Sequence, residues 1–149
     1  MNTHQYTDQE VLFRLATPDD EALFEHVAED VFDNAIIPQR LQENLKDRRL
    51  HLALAISNGL IVGMAAGMHY SQPDKDPQFF VDELGVAPGY QRRGIGRGLL
   101  QLLLELAQGL GCKEAWVATE EDNRPAKSLY ASMPNSQESR AVIYTFTLS

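Results

Sequence analysis

Apolar and polar positions along this chain alternate between two periods, and the change of period marks its elements. Val11 to Thr17 alternates as a first strand. Pro18-Asp-Asp-Glu then opens a helix with Thr17 as its N-cap, and Leu23, Val27 and Val31 keep helical spacing. A second short helix starts at Pro38 and runs to about Arg48, with Leu41 and Leu45 inward. His51 to Ser57 is a strand, Asn58-Gly59 is a two-residue hairpin turn, and Leu60 to Tyr70 returns as its partner. Gln72 to Pro77 reads as a loop and Gln78 to Ala87 as a fourth strand. Helical spacing resumes from about Gln91 to Gln108, where Ile95, Leu99, Leu102, Leu103 and Leu106 form a broad apolar stripe closed by Gly109 and Gly111. Lys113 to Thr119 is a fifth strand, Pro125 to Ser132 a helix, and Ala141 to Leu148 a last strand. The order predicts an α+β fold with a mixed, mostly antiparallel sheet flanked by helices.

Length and composition narrow the class. At 149 residues and 44% hydrophobic, the chain is expected to form one domain over 1–149, with residues 1–10 a flexible polar lead-in. No apolar run is long enough to span a bilayer, and the polar start lacks the centre of a secretory signal. A cytoplasmic protein without membrane attachment is the expectation. A single cysteine, Cys112, excludes an internal disulfide and a cysteine metal cage. None of His4, His26 and His51 has a carboxylate spacing that suggests a metal, and no metal is expected. The net charge of −8 argues against general nucleic-acid binding and suits a cationic partner. Against that background Arg92, Arg93 and Arg97 cluster within one turn, while acids gather at Glu29-Asp30 and Asp33, Asp82-Glu83 and Glu120-Glu121-Asp122.

The arginine cluster sits in the most informative stretch, Val86-Ala-Pro-Gly-Tyr-Gln91-Arg-Arg-Gly94-Ile95-Gly96-Arg97. A strand, a glycine-rich turn and a helix N-terminus make a ready anion site. Backbone N–H groups there lack intrahelical partners, and the helix dipole adds partial positive charge. The glycines fit neither the nucleotide-hydrolase phosphate loop nor a full dinucleotide fingerprint. Downstream, Asn123-Arg-Pro-Ala126-Lys-Ser-Leu129-Tyr130 places Asn123 or Arg124 near a helix cap. Tyr130 reads either as a packed core aromatic or as a functional phenol. His69 and Tyr70 end the third strand, where an acceptor could enter.

Gln91-x-x-Gly94-x-Gly96 after Leu84-x-Val86-x-Pro88, followed by Asn123-x-x-Ala126-x-x-Leu129-Tyr130, resembles the GCN5-related N-acetyltransferases over nearly the whole chain. The resemblance implies acetyl-coenzyme A as cofactor. Its pyrophosphate would lie on Gln91, Arg92, Arg93, Gly94, Ile95, Gly96 and Arg97, its thioester arm along Leu84, Gly85 and Val86, and its thiol beside Asn123 and Ala126. Tyr130 would protonate the departing thiolate. Within the superfamily, the Ala65 to Tyr70 run, the acid before Leu84-Gly-Val86, the Arg92-Arg93 loop and Glu120 resemble the aminoglycoside 3-N-acetyltransferases. That implies a cationic amine acceptor, antibiotic resistance as the role, and a homodimer as a plausible assembly. The acceptor would meet Asp30, Asp33, Asp82, Glu83, Glu120 and Glu121. Two departures stand out. Asn123-Arg124 replaces an Asp of those enzymes, and Met133-Pro-Asn-Ser-Gln stands where the family has Gly-Phe and two strands.

An ammonium must lose its proton before its nitrogen can attack the thioester, and a carboxylate, directly or through one water, can accept that proton. Regular strand alternation puts Asp82 and Glu83 on opposite faces. Glu83 is the preferred base, Asp82 the second choice, and two solvated charges the remaining reading. Other amines (a polyamine, a small metabolite, a protein N-terminus) and a non-catalytic acyl-coenzyme A sensor stay open as alternatives.

Overall fold

A computed structural model describes residues 10–149, so nearly all of the polar lead-in, with His4, lies outside the described residues. The chain divides into a larger unit ending at Ala118 and a smaller one, Thr119–Ser149. The larger unit is built on five strands: β1 (Leu12–Leu15), β2 (Leu50–Ser57), β3 (Leu60–Gln72), β4 (Lys75–Val86) and β5 (Glu114–Val117). They lie in that order in one sheet, antiparallel from β1 to β4, with β5 parallel to β4. The mixed, mostly antiparallel sheet expected from the sequence is present.

Two layers cover the sheet. On one face lie a 3-10 helix (Pro18–Glu25) and α1 (Pro38–Lys46), packing Phe24, Val31 and Leu41 onto Leu52, Leu54, Ile61 and Met64. On the other lies α2 (Ile95–Gly109), which buries Ile95, Leu99, Leu100, Leu103 and Ala107. Leu102 and Leu106 of the expected stripe are only partly buried, because the buried arc is rotated toward Leu100 and Ala107. Gly63 lets α2 sit close: a Cβ there would lie 3.1 Å from side-chain atoms of Ile95 and Leu99.

Local chemistry explains most boundaries. Thr17 caps the first helix in a capping box: its own N–H donates to Asp20 Oδ2 at 2.7 Å, and its Oγ1 accepts from the Asp19 N–H at 3.3 Å. Arg14 grips the same Asp20 with two bonds of 2.7 and 2.8 Å, holding that carboxyl down to about 2. The helix is 3-10 and stops at Glu25, short of the spacing suggested by Val27 and Val31. Beyond it the backbone turns to the sheet: the Ile61 N–H donates to His26 O, and the Ala28 N–H to Ile61 O, both at 2.8 Å. Those bonds replace helix continuation. Asn58 and Gly59 both have positive φ, as a tight hairpin turn needs. The expected loop at Gln72–Pro77 contracts to Pro73-Asp74, since β3 and β4 pair out to Gln72 and Lys75. Gly111, at φ 87°, ends α2, and the Cys112 N–H donates to Ala107 O at 3.0 Å.

The smaller unit holds α3 (Arg124–Ser132) and no strand among the described residues. The expected last strand, Ala141 to Leu148, is therefore corrected. Val142, Ile143, Tyr144, Phe146 and Leu148 are between 75% and 89% exposed. Their alternation gives strand propensity, but a strand exists only where a partner satisfies its backbone, and none pairs with this segment.

Candidate active site

The loop after β4 is shaped for an anion. From Val86 the chain passes a short 3-10 turn (Pro88–Tyr90), and Gln91 Nε2 donates back to Val86 O at 3.1 Å. Arg92 takes a left-handed φ of 63° and Gly94 one of 78°. These two reversals explain why α2 starts at Ile95 and not at Gln91. Gly94 is the N-cap and supplies no side-chain acceptor, so the first N–H groups of α2 have no side-chain cap. No atom lies within 4 Å of where a Gly94 Cβ would stand. Gln91, Arg92, Arg93, Gly94 and Arg97 are exposed around this opening, and the Arg93 guanidinium lies 5.1 Å from the Tyr90 ring centroid. Uncapped amides, open space and arginines together fit a pyrophosphate.

Next to the loop, the sheet opens. Pairing of β4 with β5 ends at Val81–Val117, while β4 runs on to Val86. Asp82 to Val86 thus has no β5 partner, and Leu84, Gly85 and Val86 lie in that stretch. An extended amide-bearing arm can hydrogen-bond along such an edge.

Glu83 sits in the same stretch, and a β-bulge decides its direction. Ala66 pairs with Glu83 and Gly67 with Val81, so Asp82 is the extra residue. Val81 and Glu83 would share a face on a regular strand; here they face opposite ways. Glu83 shares the face of Ala66 and Met64, toward the 3-10 helix and α1. The alternation expected between Asp82 and Glu83 is broken at this point, a feature nothing in the sequence marks.

Gly85 brings a second acid to Glu83. A Cβ at Gly85 would run into the Val31 carbonyl, so only glycine lets the segment around Val31 lie against β4. That approach sets Asp33 where its charge acts on Glu83. Partial burial, then Asp33 and Asp82, raise the Glu83 carboxyl above its ordinary value. Asp30, at φ 64°, lines a depression of about 380 Å³ with Phe24, Glu25 and Phe32.

In the smaller unit Asn123 is the cap of α3, its Oδ1 accepting the Ala126 N–H at 3.2 Å. Tyr130 is half-buried, and burial raises its phenol, which keeps the proton at neutral pH. Glu121 is held by Arg140 at 2.9 Å and Lys127 at 3.4 Å, and Arg140 first, then Lys127, lowers its carboxyl. Two cations on that carboxylate compete with any ligand for it. The Glu120 carbonyl accepts the Asn123 N–H at 3.0 Å.

Three features escaped sequence reasoning. One is the Asp82 bulge. Another is the half-buried His51–His69 pair, whose Nε2 and Nδ1 lie 2.7 Å apart, with His51 stacked on Phe79. Burial lowers the His51 ring below its ordinary value. The third is a cluster of Tyr70, Phe80 and Trp116. Cross-strand register brings each together, and register is not visible in one strand's sequence. Among the described residues no group of His, Cys, Asp and Glu could hold a metal, and no helix is long and apolar enough to cross a membrane.

A mixed sheet that parts between its fourth and fifth strands, beside an uncapped glycine-arginine helix start, defines an acyl-coenzyme A acetyltransferase fold. Residues 10–133 match the acetyltransferase (GNAT) family, and the chain belongs to that family. It is 35% identical over 105 residues, 69% of its length, to the N-alpha-acetyltransferase RimI of Mycobacterium tuberculosis, and the match spans 63% of that relative. An aminoglycoside acetyltransferase from an uncultured soil metagenomic sample, solved with trehalose, superposes with a TM-score of 0.79 at 22% identity, over 95% of this chain and 99% of the other. The aminoglycoside N-acetyltransferase AAC(6')-Iy, solved with coenzyme A, gives 0.72 at 16% identity, over 93% and 95% of the two chains.

Proposed function

We propose that this chain acetylates a primary amine of a cationic acceptor of the aminoglycoside type. The observation that carries the reading is Glu83: a carboxylate turned by the bulge onto one sheet face, beside Asp33 and Asp82, on the strand edge that β5 leaves open. Acetyl-coenzyme A supplies the activated thioester. Gln91 to Arg97 would hold its pyrophosphate, and the Leu84 to Val86 backbone its arm. Glu83 accepts the proton of the incoming ammonium, and its raised carboxyl makes it a stronger base than an exposed glutamate. Asp82 remains the second candidate for that role. Asp33 adds negative potential that concentrates cations. Tyr130, by resemblance, holds the proton that the departing thiolate takes up. Antibiotic resistance and a cytoplasmic location go with this reading.

The match to a protein N-alpha-acetyltransferase favours a second reading, in which the acceptor is a peptide N-terminus. Thiol release from acetyl-coenzyme A separates the two. Turnover of an aminoglycoside panel, with ribosomal-type N-terminal peptides idle, supports the first. The reverse result selects the second, and no release with any amine removes both.

A further inference from the structure

Trp116 is the only tryptophan of the chain, and it stands 49% exposed on β5. Its ring is fixed. Phe80 lies under it with centroids 4.3 Å apart. Its Nε1–H donates to Tyr70 Oη at 3.2 Å, and that hydroxyl donates to Gln78 Oε1 at 3.0 Å. The indole donor is thereby used within the sheet, and what remains to offer is a π face.

The register sets which way that face looks. Met68 pairs with Phe80 and Phe80 with Trp116, so all three share one face of the sheet. Ala66 and Met68 are two apart on β3 and also share a face, and Ala66 pairs with Glu83. Trp116, Phe80 and Glu83 therefore look the same way, which only the extra residue at Asp82 permits. Phe80 and Glu83 pair with Met68 and Ala66, two residues apart on β3, so about 7 Å separates them at ~3.3 Å per residue. That is more than the width of one sugar-sized ring.

We propose that Trp116, backed by Phe80, is the specificity platform of the acceptor site, taking a saturated ring of a polycationic amine while another amine of the same molecule lies at Glu83. The inference deepens the aminoglycoside reading and rests on it. An aromatic face without a free donor favours C–H-rich rings and ammonium groups over neutral polar ones. Charge complementarity selects the same ligands, because the Glu83 carboxyl on this face lies within reach of the charges of Asp33 and Asp82. An acyclic polyamine matches the charge but not the ring, and an N-terminal peptide matches neither across this span.

Because Trp116 is the only tryptophan, its emission reports the platform directly. Gentamicin, spermidine and an alanine-initiated hexapeptide are titrated into the full chain with coenzyme A present. A saturable emission change with gentamicin, at least tenfold tighter than with spermidine or the peptide, is expected. Trp116→Ala should raise the gentamicin KM about tenfold or more with kcat within threefold, and Trp116→Phe should recover most of the loss. Circular dichroism and thermal melting confirm that both variants fold. An unchanged gentamicin KM in Trp116→Ala, or an equal rise for spermidine and the peptide, overturns the platform and leaves the aminoglycoside reading intact. Absence of thiol release with every aminoglycoside defeats that reading instead. A saturable response to the peptide alone overturns both.

Discussion

Gly85→Ala tests how the site is assembled. The new methyl group would meet the Val31 carbonyl oxygen, a backbone atom that cannot swing away as a side-chain end does. The segment around Val31 must move off β4, or β4 must buckle. Either response costs about 1–3 kcal/mol, the scale of overpacking in a close-packed interior. Val31 is only 2% exposed, so the strain falls on the core and the upper half of that range is expected, about 2–3 kcal/mol. With an m-value of roughly 1.5 kcal/mol/M, the urea midpoint should fall by about 1.3–2 M. Gly89→Ala is the control: it has open space and ordinary φ, and should stay within about 0.5 kcal/mol of the parent. Turnover should fall with Gly85→Ala beyond the loss of folded protein, since Asp33 moves away from Glu83. A Gly85→Ala protein with the parent's urea midpoint and kcat would refute the close approach and the assembly of the acidic pair that follows from it.

Arg92→Gly removes a charge from the loop and a left-handed non-glycine residue at once; stability should change by less than about 1 kcal/mol while the coenzyme A Kd, read by calorimetry, rises several-fold or more. Glu83→Gln should cut kcat by roughly 10²-fold or more at neutral pH, with a smaller deficit as pH rises and free amine accumulates. In the parent, the acidic limb of kcat/KM should lie above the ordinary carboxylate range, because burial and then Asp33 and Asp82 raise Glu83 and the base must be ionised to act. Asp20 works in the opposite direction: its carboxyl is lowered to about 2, so its contribution is complete above about pH 4 and is lost as pH falls through 2. Asp20→Asn should cost about 1 kcal/mol in neutral urea melts, allowing for solvent around Arg14, and should flatten the loss of stability between pH 4 and 2.

Much of the larger unit was legible because its signals are local. Asn58-Gly59 needs two positive φ values, Thr17 and Asp20 close a box within four residues, and Gly111 ends α2 through bonds to its own last turn. The loop from Gln91 to Arg97 was legible for the same reason. What stayed hidden depends on partners. The direction of Glu83 is set by how β3 counts against β4, the tightness at Gly85 by a carbonyl more than fifty residues away in sequence, and the Trp116 stack by register with Phe80. The segment Ala141 to Leu148 shows the converse error. Its alternation is as good as that of β2, yet pairing is a property of two segments, and periodicity describes one.

The bulge at Asp82 makes β4 a strand with two reading frames. Up to Val81 the odd-numbered residues face α2; from Glu83 on, the odd-numbered residues face the other layer. Insertions and deletions are usually judged by loop length, but in this strand what matters is whether a bulge absorbs them. Deleting Asp82 would straighten the ladder and leave both halves facing as they do, whereas drawing Asp82 into regular pairing would turn Glu83 under α2 and carry Leu84 and Val86 to the opposite layer. A one-residue slip of register there would cost the site more than many substitutions within it. Relatives that keep this chemistry should carry the odd residue in a bulge of their own, or be one residue shorter there with a regular strand.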